Sequence, residues 1–149
     1  MAETTVWWSA VERLVSLLRV HPSLIGSVDV HPGWPGDLHR KPEMVFVDEL
    51  SSTEDRPVMK SGRQVRDESF RLPLIVVITG RGDLDSTLCR TSAVVAAIQD
   101  VLADEQPALS DLDGVLFGWV ARKSMSCGQT PEGPIGTARV VVDVTARLN

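Results

Sequence analysis

Between Phe70 and Ile78 every second residue is apolar: Phe70, Leu72, Leu74, Val76 and Ile78. A two-residue period is what a strand needs to lay one face on a core. Gly80 ends this run, and a helical pattern follows it. The strand is expected over Ser69–Thr79, with Pro73 in its middle. Proline cannot donate a ladder hydrogen bond, so Pro73 implies an edge position or a bulge.

The other elements can be placed around this strand. Trp7, Val11, Leu14 and Leu18 make one apolar stripe on a helix expected from Val6 to Val20, with Thr5 as its N-cap. His21-Pro22 stops it, because a residue before proline is pushed out of the helical region. Trp7 and Trp8 are split between core and surface, since helix neighbours lie ~100° apart. A short strand is expected at Gly26–Val30, then a rigid turn, HPGWPGD (31–37), then a strand at Glu43–Glu49.

Residues 50–65 are polar and almost without period, and join two strands. The segment reads as a projecting hairpin arm, mobile in the free subunit and ordered on assembly. The second helix is expected at Ser86–Asp104, capped by Asp83 or Asp85, with Leu88, Ser92, Val95, Ile98 and Leu102 inward. Strands at Val115–Ser126 and Thr137–Leu148 close the chain, joined through Thr130-Pro131-Glu132-Gly133-Pro134. In the last strand Ala138, Val140, Val142, Val144, Ala146 and Leu148 share one face; Arg139, Val141, Asp143, Thr145 and Arg147 share the other. The expected fold is α+β: one domain over residues 1–149, a mainly antiparallel sheet of about four to five strands, and two helices packed on one face.

A net charge of -5, with lysines and arginines scattered, disfavours a protein built to grip nucleic acid. No apolar run approaches the roughly 20 residues that span a bilayer, and MAETTVWW lacks a basic n-region, so the expected site of synthesis is the cytosol. Two cysteines, Cys89 and Cys127, are too few for a disulfide framework.

Residues suited to reactive chemistry are few. Gly80-Arg81-Gly82 has the outline of a nucleotide-binding turn, but the third glycine is missing and Asp83 and Asp85 would repel a phosphate. An ordinary strand-to-helix turn fits better. Asp48, Glu49, Glu54, Asp55, Asp67 and Glu68 could hold Mg²⁺ for a metal-dependent hydrolase. Arg56, Lys60, Arg63 and Arg66 interleave with them, which favours a solvated or inter-subunit salt-bridged surface. His21, His31 and His39 lack zinc-ligand spacing, and Cys127 has no evident base. No catalytic residue, metal or cofactor is expected. Trp34, on its Pro-Gly turn, is either an interface anchor or a lid on one end of the sheet.

The N-terminal amphipathic helix, MVFVDEL, the polar arm, RDESFRLPLIVVITG, the helix after GRGDLDS and the closing TARVVVDVTARLN together resemble the tail terminator family of long-tailed bacteriophages. The resemblance spans the chain and lies in element order and character, with no invariant motif. It implies a structural virion protein assembled in the bacterial host cytoplasm and placed at the head-proximal end of the tail. There it forms a six-membered ring that docks on the major tail tube protein, ends its polymerisation and meets the head-completion or connector protein. DNA would pass through the lumen without specific binding, and no membrane is involved. A neck or head–tail connector protein is the alternative within the same class. For either, Arg63, Arg66, Asp67 and Glu68 are expected to make charged contacts between neighbours, joined by Arg139, Asp143 and Arg147 and by Trp34.

Overall fold

In a computed structural model of the chain, residues 7–36, 41–54, 58–60, 63–104 and 115–148 are described, with side chains described at 7–36, 41–50, 68–103 and 118–145. Nine elements follow in order: α1 (Trp7–Arg19), β1 (Asp29–His31), β2 (Glu43–Val47), β3 (Ser51–Glu54), β4 (Val58–Lys60), β5 (Arg63–Ile78), α2 (Leu84–Asp104), β6 (Val115–Thr130) and β7 (Gly133–Leu148). The sheet runs β1-β2-β5-β7-β6, with β3 and β4 also paired to β5. Every pairing is antiparallel except β1 with β2. The expected α+β class is what the chain adopts.

One face of this sheet carries the core. Phe70, Leu72, Leu74, Val76 and Ile78 of β5 and Ala138, Val140, Val142 and Val144 of β7 are all buried. They pack with Ala10, Val11, Leu14, Val15 and Leu18 of α1 and with Val94, Ala97, Ile98, Val101 and Leu102 of α2 in one cluster. Both helices therefore lie on the same face. Trp7 packs on this core, its ring 6.3 Å from that of Phe70, while Trp8 is exposed. The N-cap expected at Thr5 lies outside the described residues.

Asp83 caps α2: its Oδ1 accepts the Ser86 N–H at 2.7 Å, and its carbonyl accepts the Thr87 N–H. The helix is rotated from the phase expected of it. Thr87, Thr91, Val94, Ile98 and Val101 face inward, Leu88 and Val95 are half-buried, and Ser92 is exposed. Two buried threonines hid the stripe. Each satisfies its hydroxyl inside the helix, Thr87 Oγ1 donating to Asp83 O at 2.7 Å and Thr91 Oγ1 to Thr87 O at 2.8 Å. Both press against Gly136 of β7, where a Cβ would stand 3.2 Å from Thr87 Cγ2 and closer still to Thr91 Oγ1. A glycine at this point lets helix and strand approach.

A buried charge cluster fastens the end of the sheet. Arg90 Nε donates to both carboxylate oxygens of Glu43, at 3.0 and 3.2 Å, and Arg81 Nη2 donates to Oε2 at 2.9 Å. Arg90 Nη2 also reaches Ser23 O and Ser27 Oγ. The start of β2, the loop before α2, α2 itself and the turn after α1 are thus tied through one carboxylate.

One expectation for β5 needs correction, and the alternatives at Pro73, edge or bulge, are decided. The strand begins at Arg63, not Ser69, so part of the polar arm is regular strand: β3 and β4 pair antiparallel with it, and its pairing with β7 extends to Arg66↔Leu148. Residues 63–69 are mostly polar and show no hydrophobic period; the ladders with β3, β4 and β7 define the strand there. Pro73 is also not on an edge, since β5 lies between β2 and β7. It is accommodated by an irregularity instead. Val47 faces Leu74 and Ser51 faces Arg71, so three residues of one strand span two of the other. The Asp48 N–H donates to Pro73 O at 2.9 Å, which puts the missing Pro73 donor on the same side, opposite the interruption.

Candidate functional site: a charged depression on the open face of the sheet

The sheet face away from the helices is formed by the alternate residues: Phe46, Ile75, Arg139 and Ser124 in one cross-strand row, Pro73, Val141 and Arg122 in the next, Arg71, Asp143 and Trp119 in the third. Trp34 stands over its β2 side, with its ring 5.2 Å from Phe46 in an edge-on contact while half of it stays exposed. The side chain is therefore both a partial lid on Phe46 and an available surface.

Two ladder irregularities flank the Pro73–Val141 pair. One is the extra residue at Asp48–Leu50 on the β2/β3 side. The other is a bulge in β6 between Val120, which faces Val142, and Arg122, which faces Val141. The bulged residue is Ala121. Were the strand regular through Ala121, strict alternation would aim Arg122 at the helix layer with Val120; because Ala121 is bulged, Arg122 turns to the open face. Re-aiming a side chain is the recognised effect of a β-bulge. Beyond the bulge Lys123 returns to the helix side and donates to Gln99 Oε1 of α2 at 2.9 Å.

The outcome is a depression of about 310 Å³ floored by Pro73, Val141 and Ala121. Arg71, Arg122 and Arg139 rim it together with Glu49 and Asp143. Arg139 Nη1 donates to Asp48 Oδ2 at 3.2 Å. Arg71 Nε stands 3.7 Å from Asp143 Oδ1, beyond hydrogen-bond reach, and that oxygen is buried without a hydrogen-bond partner. Arg122 is exposed, with no ion pair among the described residues. Such a site can hold an acidic or mixed-charge surface over a small apolar floor. Nothing in it resembles a nucleophile with its base.

The residues singled out from sequence divide accordingly. Arg139 and Asp143 lie together on the depression's rim, with Trp34 at the same face's β2 side. Glu68 is only 2 % exposed and is not a surface charge in the isolated chain. Arg63, Arg66 and Asp67 occupy β5 and Arg147 occupies β7, Asp67 paired in register with Arg147, but their side chains lie outside the described residues. So do those of Glu54 and Asp55, and His39. Among the described residues no group of three or more His, Cys, Asp or Glu is placed to hold a metal. Gly80 and Gly82 take positive φ in the turn that leads to the Asp83 cap. Sequence reasoning missed Arg71 and Arg122. Strand alternation from Phe70 would have found the first; only the bulge aims the second.

No protein-family model matches the chain, and no curated protein matches it. Among solved structures the fold is shared with a chain of the virion of a native gene transfer agent (GTA) particle. The TM-score is 0.57 and the identity 14 %, over 93 % of this chain and 92 % of that one. The likeness covers almost the whole of both chains and shows a common fold.

Proposed function

We propose that this protein is a structural component of a phage-type virion, without enzymatic activity, and that it acts as a tail terminator. In this reading, copies close into a ring, six in number, that stacks on the last ring of the major tail tube protein. The ring ends tube growth and offers its other side to a head-completion or connector protein, with DNA passing through the lumen. The observation that carries the reading is the end-to-end fold likeness to a virion chain. Support for a station at the head-proximal end of the tail comes from the sequence resemblance to tail terminators alone. A closed ring needs two different patches that meet at a rotation which closes. The chain offers exposed, chemically distinct surfaces for this: Trp34 and the arginine-rimmed depression on the open face, and Trp8, Val20 and Ile25 around α1.

Negative-stain microscopy of the concentrated protein, alone and mixed with polymerising tail tubes, tests this. Rings, and tubes capped at one end that stop lengthening, are expected. A sample that stays monomeric at every concentration and leaves tube length unchanged refutes it.

A further inference from the structure

We infer that the depression on the open face receives the turn Asp83–Leu84–Asp85 of a neighbouring copy of this chain. The inference rests on the ring reading and names one contact within it. Three observations lead to it. The depression is built by two independent irregularities on either side of one residue pair, and the second exists to bring Arg122 beside Arg71 and Arg139. Bulges of this kind mark places where a strand presents side chains to something else. Second, its charges are incompletely paired among the described residues: Arg122 has no ion pair there, and the Arg71 side chain is 72 % exposed and stands 3.7 Å from Asp143 Oδ1.

Third, the chain carries a matching surface. Of the exposed large apolar residues among those described, Leu84 alone has an acid on each side. The residue is 45 % exposed. Asp83 uses Oδ1 to cap α2, which fixes the turn and leaves Oδ2 free of that bond; Asp85 is exposed with no ion pair among the described residues. An apolar tip between two carboxylates meets an apolar floor whose rim carries three guanidiniums against the carboxylates of Glu49 and Asp143, and Arg122 is the guanidinium with no ion pair among the described residues. Leu84 meets Pro73, Val141 and Ala121, while the carboxylates meet Arg122 and Arg71. The patches differ, so the contact is heterologous, as ring closure demands. Arginine suits such a role, because its planar fork pairs with carboxylates in two parallel hydrogen bonds.

The test is a charge exchange read by sedimentation velocity on the full chain across concentration, with circular dichroism confirming that each variant folds. Arg122→Glu and Asp85→Arg are each expected to weaken self-association by at least about tenfold, and Leu84→Ser similarly. The double variant Arg122→Glu/Asp85→Arg is expected to recover most of the loss, and 0.5 M salt to weaken wild type and Leu84→Ser by similar factors, since both keep the charge pairs. Wild-type rings that persist unchanged in both single charge variants, or a double variant no better than either single, overturn the contact and leave the ring reading standing. Loss of duplex-DNA retention by Arg122→Glu with self-association intact also overturns it, assigning the arginines to nucleic acid. A wild type that never associates overturns both.

Discussion

The approach of α2 to β7 at Gly136 gives a quantitative handle on the fold. Replacing Gly136 by Ala puts a methyl against Thr91 Oγ1 and 3.2 Å from Thr87 Cγ2. Thr87 and Thr91 are both fully buried, and the Thr91 hydroxyl can move aside only by giving up its 2.8 Å bond to Thr87 O. Overpacking a tight core by one methyl costs ~1–3 kcal/mol, and the upper half of that range applies where neither neighbour can swing into solvent. Removing a strand glycine returns ~0.5–1 kcal/mol of unfolded-state entropy. The net loss is then about 2 kcal/mol. Unfolding 149 residues carries an entropy near ~0.3 kcal/mol/K, so Tm should fall by about 6 °C. Thermal and urea unfolding followed by circular dichroism measure it. Thr91→Ala removes the obstructing oxygen, so the double variant should be less destabilised than the sum of the singles by ~1–1.5 kcal/mol. A Gly136→Ala protein within ~0.5 kcal/mol of wild type, or strictly additive singles, would refute the packing described.

Other perturbations separate stability from assembly. Glu43→Gln leaves Arg90 and Arg81 facing each other without their shared carboxylate. Breaking a buried pair from one side costs ~3–5 kcal/mol, and the lower end applies because Arg81 can turn to water; Tm should drop by about 9 °C in a thermal melt. Asp83→Ala removes the α2 cap and should cost ~1 kcal/mol by denaturant titration, while Asp83→Asn, an equally good cap, should cost almost nothing. Arg139→Ala breaks a half-exposed pair with Asp48 and should shift stability by less than ~0.5 kcal/mol in the same titration. The expectation that the arm at 50–65 is mobile until assembly meets β3 and β4 already paired with β5 in the single chain. Hydrogen exchange should therefore show those ladder amides protected before ring assembly as well as after it; ladder amides that exchange freely in the free subunit would refute this.

How far the sequence foretold this structure depends on what each segment is held by. Where a side-chain period faces a hydrophobic core, as in Phe70–Ile78, Ala138–Val144 and Val11–Leu18, the sequence alone predicts both the element and its buried face. Where polar side chains satisfy themselves locally, the period is disguised. Thr87 and Thr91 are core residues because their hydroxyls donate within the helix, and Leu88 and Ser92 were the misleading choices. In β3, β4 and the first residues of β5 the strands are too short or too polar to show a two-residue apolar period, and the ladder is what defines them. The parallel pairing of β1 to β2 is likewise set by tertiary context and leaves no mark on three residues.

Pro73 ties these levels together. In the sequence it is a warning that the ladder must be broken somewhere near it. In the fold the break is placed on the neighbouring strand, where the Asp48 N–H still uses the proline carbonyl and the extra residue swings Asp48 and Glu49 toward the open face. The bulge at Ala121 does the corresponding thing two strands away, and the pair Pro73–Val141 between them becomes a bare apolar floor. A sheet regular through Ala121 would have closed that floor with alternating side chains and pointed Arg122 into the helix layer. Deleting Ala121, by contrast, should restore the regular ladder with Arg122 directly after Val120 and still opposite Val141, so the depression loses its bulge and its Ala121 wall while keeping the arginine. If such a protein folded with unchanged self-association, the depression would be an incidental dent in the sheet and not its docking surface.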